Sequence, residues 1–322
     1  MKEGKEMTKF YVGITDINWV SVIRDEYNKG KLKNKQVIFW QRPTRKFEAL
    51  KQGELFLFKH HNKKETEENG EIVGGGYFVR YKQLSITDAW NKYDRRNGFE
   101  SEEKMCEGVK DKEDNGTIGC IILEKVFFID SDDWINEPED WKSTNQKGKT
   151  YTTDDKIGKA LYDQVQAAIK SESDSKTIIE AIEKEIAKPD LSGKEKDAIV
   201  KRRVNQNVFR ERLLKKYDKC CICKVENQSL LIASHIKPWT KSEPGEKLDL
   251  QNGFLLCPNH DALFDGGYIT FDNNGQICIS NRLSKMDRIF MNVNDETKMN
   301  IKLSEGNKKY LEYHRKNVYK ES

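Results

Sequence analysis

Four residues limit what the second half of this chain can fold into. Cys220 and Cys223 form a C-x-x-C knuckle, and Cys257-Pro-Asn-His260 supplies a second pair at the same spacing. Two such pairs are the ligand set of a tetrahedral zinc site with three sulfur donors and one nitrogen. Cys221 offers an alternative ligand at poorer spacing. Of the 7 cysteines, those at 220, 221 and 223 crowd into one short stretch. In a reducing compartment such crowding favours a metal over disulfides. The apolar content of the segment is thin, so bound zinc would contribute on the order of 10 kcal/mol to its stability.

Between the pairs lie Ile232-Ala-Ser-His235-Ile-Lys-Pro-Trp239 and Leu248-Asp-Leu-Gln-Asn252-Gly-Phe-Leu-Leu-Cys257, and Asp261-Ala-Leu-Phe-Asp265 follows. Asp261 and Asp265 stand four apart on an expected helix, so both carboxylates project from one face and can share a divalent ion. Over about 205–320 this wording resembles the HNH nucleases: a His on one strand, an Asn in the turn before the next, and a ligand on the following helix. The resemblance implies phosphodiester hydrolysis. His235 is then the general base, because imidazole can take a proton from water near neutral pH. Asn252 matches the family's middle asparagine and would hold the loop and the strand bearing His235. Asp261 and Asp265 would hold Mg2+ or Mn2+, the ions that oxygen ligands favour. Two departures stand out: Ser234 precedes the base where the family commonly has His or Asp, and Asp261 takes the place of the final His. His260 is assigned to zinc because Cys257-x-x-His260 repeats the knuckle spacing; the alternative puts it on the catalytic ion.

In the first half, KFYVGIT (9–15), VIFWQ (37–41), GELFLFK (53–59), IVGGGYFV (72–79) and GCIILEKVFFI (119–129) read as short strands. Aromatic and β-branched runs broken by glycine indicate bulges or tight bends, as in a small barrel. Helices are expected over INWVSVIRDEY with Asp16 as its cap, over KFEAL (46–50), and over 85–98 with Thr87 or Asp88 near its start and Gly98 past its end. Gly53-Glu54-Leu-Phe-Leu-Phe58 followed by Ile72-Val-Gly-Gly-Gly76 resembles the PUA-like superfamily, in particular its EVE-type modified-base readers, which are SRA-like in role. The longer string resembles modification-dependent HNH restriction enzymes of the McrA type. A flipped base needs flat walls and a few hydrogen-bond partners. Trp19, Trp40, Tyr77, Phe58 and Trp90 are the candidates, against the plain reading that these rings fill a core.

Residues 150–215 read as charged helix: 156–170, 175–188 and, after a break at 189–193, one basic helix over 194–218. Its Arg202, Arg203 and Arg210, with Lys237, are candidate phosphate contacts, or alternatively one solvated helix face. With 57 basic against 53 acidic residues the net charge is only +4, so attraction to phosphate must come from local patches. Across 322 residues no run is apolar enough to span a membrane, and the N-terminus lacks a signal-like apolar stretch.

The expected architecture is α+β: a PUA/EVE-like small β-barrel with helices (1–150), a charged helical linker (151–204) and a zinc-stabilised ββα-metal HNH domain (205–322). The implied protein is a cytoplasmic type IV restriction endonuclease. It would act as a homodimer on double-stranded DNA carrying 5-methyl- or 5-hydroxymethylcytosine. Two other readings stay open: a zinc-stabilised nucleic-acid binder without cleavage, and an HNH nuclease gated by a signal other than a base.

Overall fold

The computed structural model describes residues 7–44, 46–61, 70–110, 113–142, 144–145, 147–205 and 208–321. The chain divides into two units, Met1–Asp174 and Ser175–Ser322. The polar loop expected at 62–69 lies outside the described residues.

The first unit contains β1 (Lys9–Thr15), α1 (Ile17–Asn28), β2 (Val37–Gln41), β3 (Leu55–His60), β4 (Ile72–Leu84), α2 (Ile86–Tyr93), α3 (Glu102–Val109), β5 (Ile118–Phe128), β6 (Gly148–Thr152) and the start of α4 (Lys156–Ile186). Asp16 caps α1 by accepting from Asn18 N at 2.8 Å. Ser85, rather than Thr87 or Asp88, caps α2, and Gly98 adopts the left-handed conformation after it. Residues 46–50 are irregular where a short helix is expected.

The strands form one mixed sheet in the order β2-β5-β4-β3-β1-β6, with β1 parallel to β3 and the other pairs antiparallel. Among the described residues its end strands do not pair, so this is an open sheet where a barrel is expected. Bulges do occur, between Phe58 and Lys59, Gly75 and Tyr77, and Phe78 and Arg80.

Every residue of β3 is buried, because both faces of the sheet are covered. Phe56 and Phe58 pack with Trp19, Val20 and Ile23 of α1, while Leu55 and Leu57 pack with Phe10, Tyr151 and the Leu161–Val165 turn of α4. The triple glycine opposite Phe56 and Phe58 is a packing requirement. A Cβ at Gly75 would lie 2.7 Å from Phe56 O and 2.9 Å from the Phe127 ring, so any side chain there would drive β3 and β5 apart.

The second unit contains the rest of α4, then α5 (Gly193–Val204), α6 (Val208–Tyr217), β7 (Ile232–His235), β8 (Gly253–Leu256), α7 (Pro258–Asp265), β9 (Ile269–Phe271), β10 (Ile277–Ile279), α8 (Lys285–Phe290) and α9 (Glu305–Asn317). The two helices expected before residue 189 are one continuous α4. The single basic helix expected afterwards is α5 and α6, with residues 206 and 207 between them outside the described set. The β7–β8 pair, α6, α7 and α9 enclose the core around Phe209, Phe254 and Phe264. Among the described residues no helix is long and apolar enough to cross a membrane.

His314 is buried and stacks on Phe264 at 4.0 Å, with Thr270 and the Phe264 carbonyl on its two nitrogens. Burial pushes its pKa from 6.5 down to about 4. Below pH 6.5 the unfolded chain therefore takes up a proton that the folded chain refuses, until the pH reaches about 4. Stability should be complete above pH 6.5 and fall as the pH drops through that window. The loss from this one group should be about 3 kcal/mol. Thermal melts between pH 7.5 and 4.5 should show this fall, and a His314→Gln variant should lose less over the same range.

Candidate active site and metal centre

The knuckle begins where α6 ends. Cys220 N donates to Val225 O, and Lys224, in the left-handed conformation, donates to Cys220 O; together these close a tight turn around Cys223. Cys257 and His260 come from the start of α7, which has Pro258 in its first turn. The four ligand atoms lie within 4.8 Å of one another. Cys220 Sγ is 3.6 Å from His260 Nδ1, Cys257 Sγ is 3.3 Å from it, and Cys223 and Cys257 sulfurs are 3.7 Å apart. A zinc tetrahedron with bonds of about 2.0–2.3 Å has edges of about 3.5–3.8 Å, so the donor set fits that ion. His260 Nε2 faces Asn292 O at 3.4 Å, as expected of an outer partner that orients a metal-bound imidazole. Hydrogen bonds from Cys257 and His260 lower the Cys220 thiol pKa, and the Cys257 thiol is raised in exchange. Cys221 stands apart: its backbone joins Leu255 and Asn300, and burial pushes its thiol up to about 12.

His235 ends β7, paired with Gly253 of β8. Its Nε2 lies 2.7 Å from Lys247 O. A carbonyl only accepts, so Nε2 carries the hydrogen and Nδ1 is left as the basic nitrogen. Phe209 stacks on the ring at 4.9 Å and Trp239 meets it edge-on at 5.7 Å. Desolvation lowers the His235 pKa, which favours neutral imidazole. Gly253 allows α6 to approach, since a Cβ there would lie 2.7 Å from the Phe209 ring.

Asn252 is fully buried beneath the loop between the strands. Its Oδ1 accepts from Lys237 N at 2.7 Å, and its Nδ2 donates to Glu246 O at 3.0 Å, Ser242 Oγ at 3.2 Å and Lys237 O at 3.3 Å. The amide thus closes residues 237–252 into one loop, whose Lys247 carbonyl fixes the His235 tautomer.

Asp261 follows His260 on α7, and Asp265 comes one turn later. Asp261 is 2% exposed. Its pKa is raised, first by burial and then by the Asp265 charge, with Lys201 and Ser234 pulling the other way. Its Oδ1 and the Ser234 hydroxyl lie close enough to interact, yet neither makes a well-aligned hydrogen bond among the described residues. A buried carboxylate with an unsatisfied oxygen beside a second carboxylate is a hard-oxygen donor set that fits Mg2+ or Mn2+. Asp265 acts electrostatically on His235, so base and acids share one neighbourhood.

Other expected contacts are engaged within the protein. Arg203 and Arg202 reach Glu185 at 2.7 and 3.4 Å, Arg210 donates to the carbonyls of Gln228 and Leu231, and Lys237 pairs with Glu246 over the Tyr313 ring. Of the aromatic candidates, Trp19 and Phe58 are buried in the core, with Trp19 Nε1 donating to Ile38 O at 3.0 Å. Trp40 stacks on Phe99, and Trp90 packs in the same cluster. Tyr77 lines an open cavity of about 210 Å³ with Lys9, Glu54, Tyr162 and Gln166. Sequence reasoning missed Lys201, the Lys247 carbonyl and Asn205, whose amide bonds the Ala233 backbone. No local pattern marks them.

Removing zinc should unfold this region. Cys257→Ser should lose the metal and melt well below wild type, whereas Cys221→Ala should keep one zinc per chain; zinc content and thermal melting decide it.

Residues 220–272 match the HNH endonuclease family. Among solved structures the chain is similar to a point mutant of the ASCH protein from Zymomonas mobilis, at 14% identity over 48% of this chain and 95% of that one, with a TM-score of 0.33. It is also similar to the ASCH of the same organism, at 16% identity over 39% and 73%, with a TM-score of 0.27. No curated protein matches.

Proposed function

We propose that the HNH endonuclease domain at 220–272 hydrolyses phosphodiester bonds in DNA, and that the first unit restricts it to DNA carrying modified cytosine. One observation carries the nuclease reading: His235 is held as a neutral base with Nδ1 as its basic nitrogen, in electrostatic reach of Asp265, which is paired with Asp261 on α7. His235 Nδ1 takes the proton from the attacking water. The Lys247 carbonyl and the Phe209 and Trp239 rings keep the imidazole from turning. Asp261 and Asp265 would hold a divalent ion, which when bound neutralises charge on the scissile phosphate and leaving oxygen. Cys220, Cys223, Cys257 and His260 would hold a structural zinc.

Modified-base reading is supported by the resemblance of the first half to modification-dependent enzymes and by the cavity at Tyr77. Two tyrosines there offer faces for stacking, while Lys9, Glu54 and Gln166 offer polar edges for a base. The partner is double-stranded DNA. Because one such site attacks one strand, a double-strand break calls for a homodimer, with twice the chain mass by light scattering when DNA is present.

His235→Ala should cut plasmid cleavage by a factor of roughly 10²–10⁴ in the presence of Mg2+ or Mn2+; undiminished cleavage removes His235 as the base. Plasmids carrying 5-methyl- or 5-hydroxymethylcytosine should be cut and unmodified ones spared, and equal rates on both would sink the reader. Because the His235 pKa is lowered, the rate should hold as the pH falls through ~6.5, where a free imidazole titrates, and decline only below it. A decline beginning above pH ~6.5 would contradict a desolvated base.

A further inference from the structure

The two acids of α7 already have a cation. Lys201 of α5 sets its ammonium against Asp261 Oδ2 and, at 2.9 Å, against Asp265 Oδ2. Its backbone is placed by Asn205, one turn on. The Asn205 Oδ1 accepts from Ala233 N at 2.7 Å, and its Nδ2 donates to Lys201 O at 2.9 Å and to Ala233 O at 3.4 Å. The end of α5 is therefore clipped to the strand that carries His235, and Lys201 is delivered to the acids by the fold. Arg202 and Arg203, its neighbours, are held by Glu185, so the whole basic run is neutralised within the protein.

We infer that Lys201 is a latch on the ion site, because a divalent cation and the Lys201 ammonium compete for the same two carboxylates. The inference rests on Asp261 and Asp265 being the ion-holding pair. An ammonium within hydrogen-bond distance of both carboxylates repels an incoming cation and occupies one oxygen of each. The Lys201 side chain is 43% exposed, so it can swing into solvent without opening the core. When it leaves, the buried Asp261 carboxylate beside Asp265 needs another cation if it is to stay charged. Lys201 thus keeps the acids satisfied in the resting protein and sets a threshold for ion entry.

The test is calorimetric titration of Mn2+ into the zinc-loaded full-length chain, with zinc content and thermal melting as checks on folding. Manganese prefers oxygen donors and leaves the thiolate cluster to zinc. Lys201→Met keeps the stem and removes the charge, and it should bind Mn2+ about tenfold more tightly than wild type. Lys201→Arg keeps the charge and should bind no more tightly than wild type. Should Lys201→Met melt early or lose zinc, Lys201→Gln serves in its place. Mn2+ binding in Lys201→Met that is absent in wild type would support the latch in its strongest form. Equal affinity in wild type and Lys201→Met overturns the latch and leaves the ion site standing, provided that Asp261→Asn with Asp265→Asn abolishes binding. No binding by wild type or Lys201→Met, or binding that survives the double Asn variant, overturns the ion-site reading and the latch with it.

Discussion

The first turn of α7 is the constraint that the second unit depends on. Cys257 precedes the helix, His260 lies in its first turn, and Asp261 is the next residue. Each residue in a helix turns by about 100°, so fixing His260 against the knuckle directs Asp261 elsewhere, towards Ser234 and Lys201. Cys257 makes no side-chain cap, and an eight-residue helix has little stability of its own. The knuckle supplies the anchor that the cap would have given. A metal bound by the four ligands would therefore fix the angle of both acids without touching either. The cluster and the acid pair do different jobs, yet neither can move alone.

Burial acts on His235 and Asp261 in the same direction, favouring the neutral form of each, but the consequences differ. For His235 the neutral form is the useful one, because only unprotonated Nδ1 can accept a proton. For Asp261 the charged form is the useful one, and burial works against it. A cation must sit beside it, and in this chain the fold provides Lys201. The helix N-terminus adds in the same sense, since Asp261 lies in the first turn of α7, where negative charge is favoured. The site is thus arranged around a carboxylate that needs compensation, beside a base that needs none.

How much of this could be read from the sequence follows from how local each cause is. Ligand chemistry dictates the spacing of Cys220, Cys223, Cys257 and His260, so the cluster was legible. Asp16 capping α1 and the aromatic run of β3 were legible for the same reason, being set by neighbours a few residues away. The role of Lys247 was not, because a backbone carbonyl leaves no signature in the side chains. Lys201 was hidden in a basic run where every member looked alike; only the Asn205–Ala233 clip, across 28 residues, singles it out. The expected barrel became an open sheet because edge pairing is a long-range outcome that strand composition does not encode. The partner of Trp19 was not legible either, because a polar tip marks a need for one partner and does not say that it is the Ile38 carbonyl.

The same burial argument narrows where the first unit could take up a ligand. Both faces of β3 are sealed, so Phe56 and Phe58 could receive a ring only if α1 or the opposite layer came away, which would expose many buried side chains at once. Recognition by the sheet interior would carry that cost. What remains is the rim, where rings keep one apolar side and one polar tip. Tyr77 meets that condition: it follows the triple glycine of β4, it is half-buried, and it faces a cavity shared with Tyr162, Lys9, Glu54 and Gln166. The glycines that let β3 and β5 pack tightly also bring the chain to the bulge that displaces Tyr77 from the regular ladder. A ligand there would be read by the strand ends and the α4 surface, and the aromatic interior would serve only to hold them rigid.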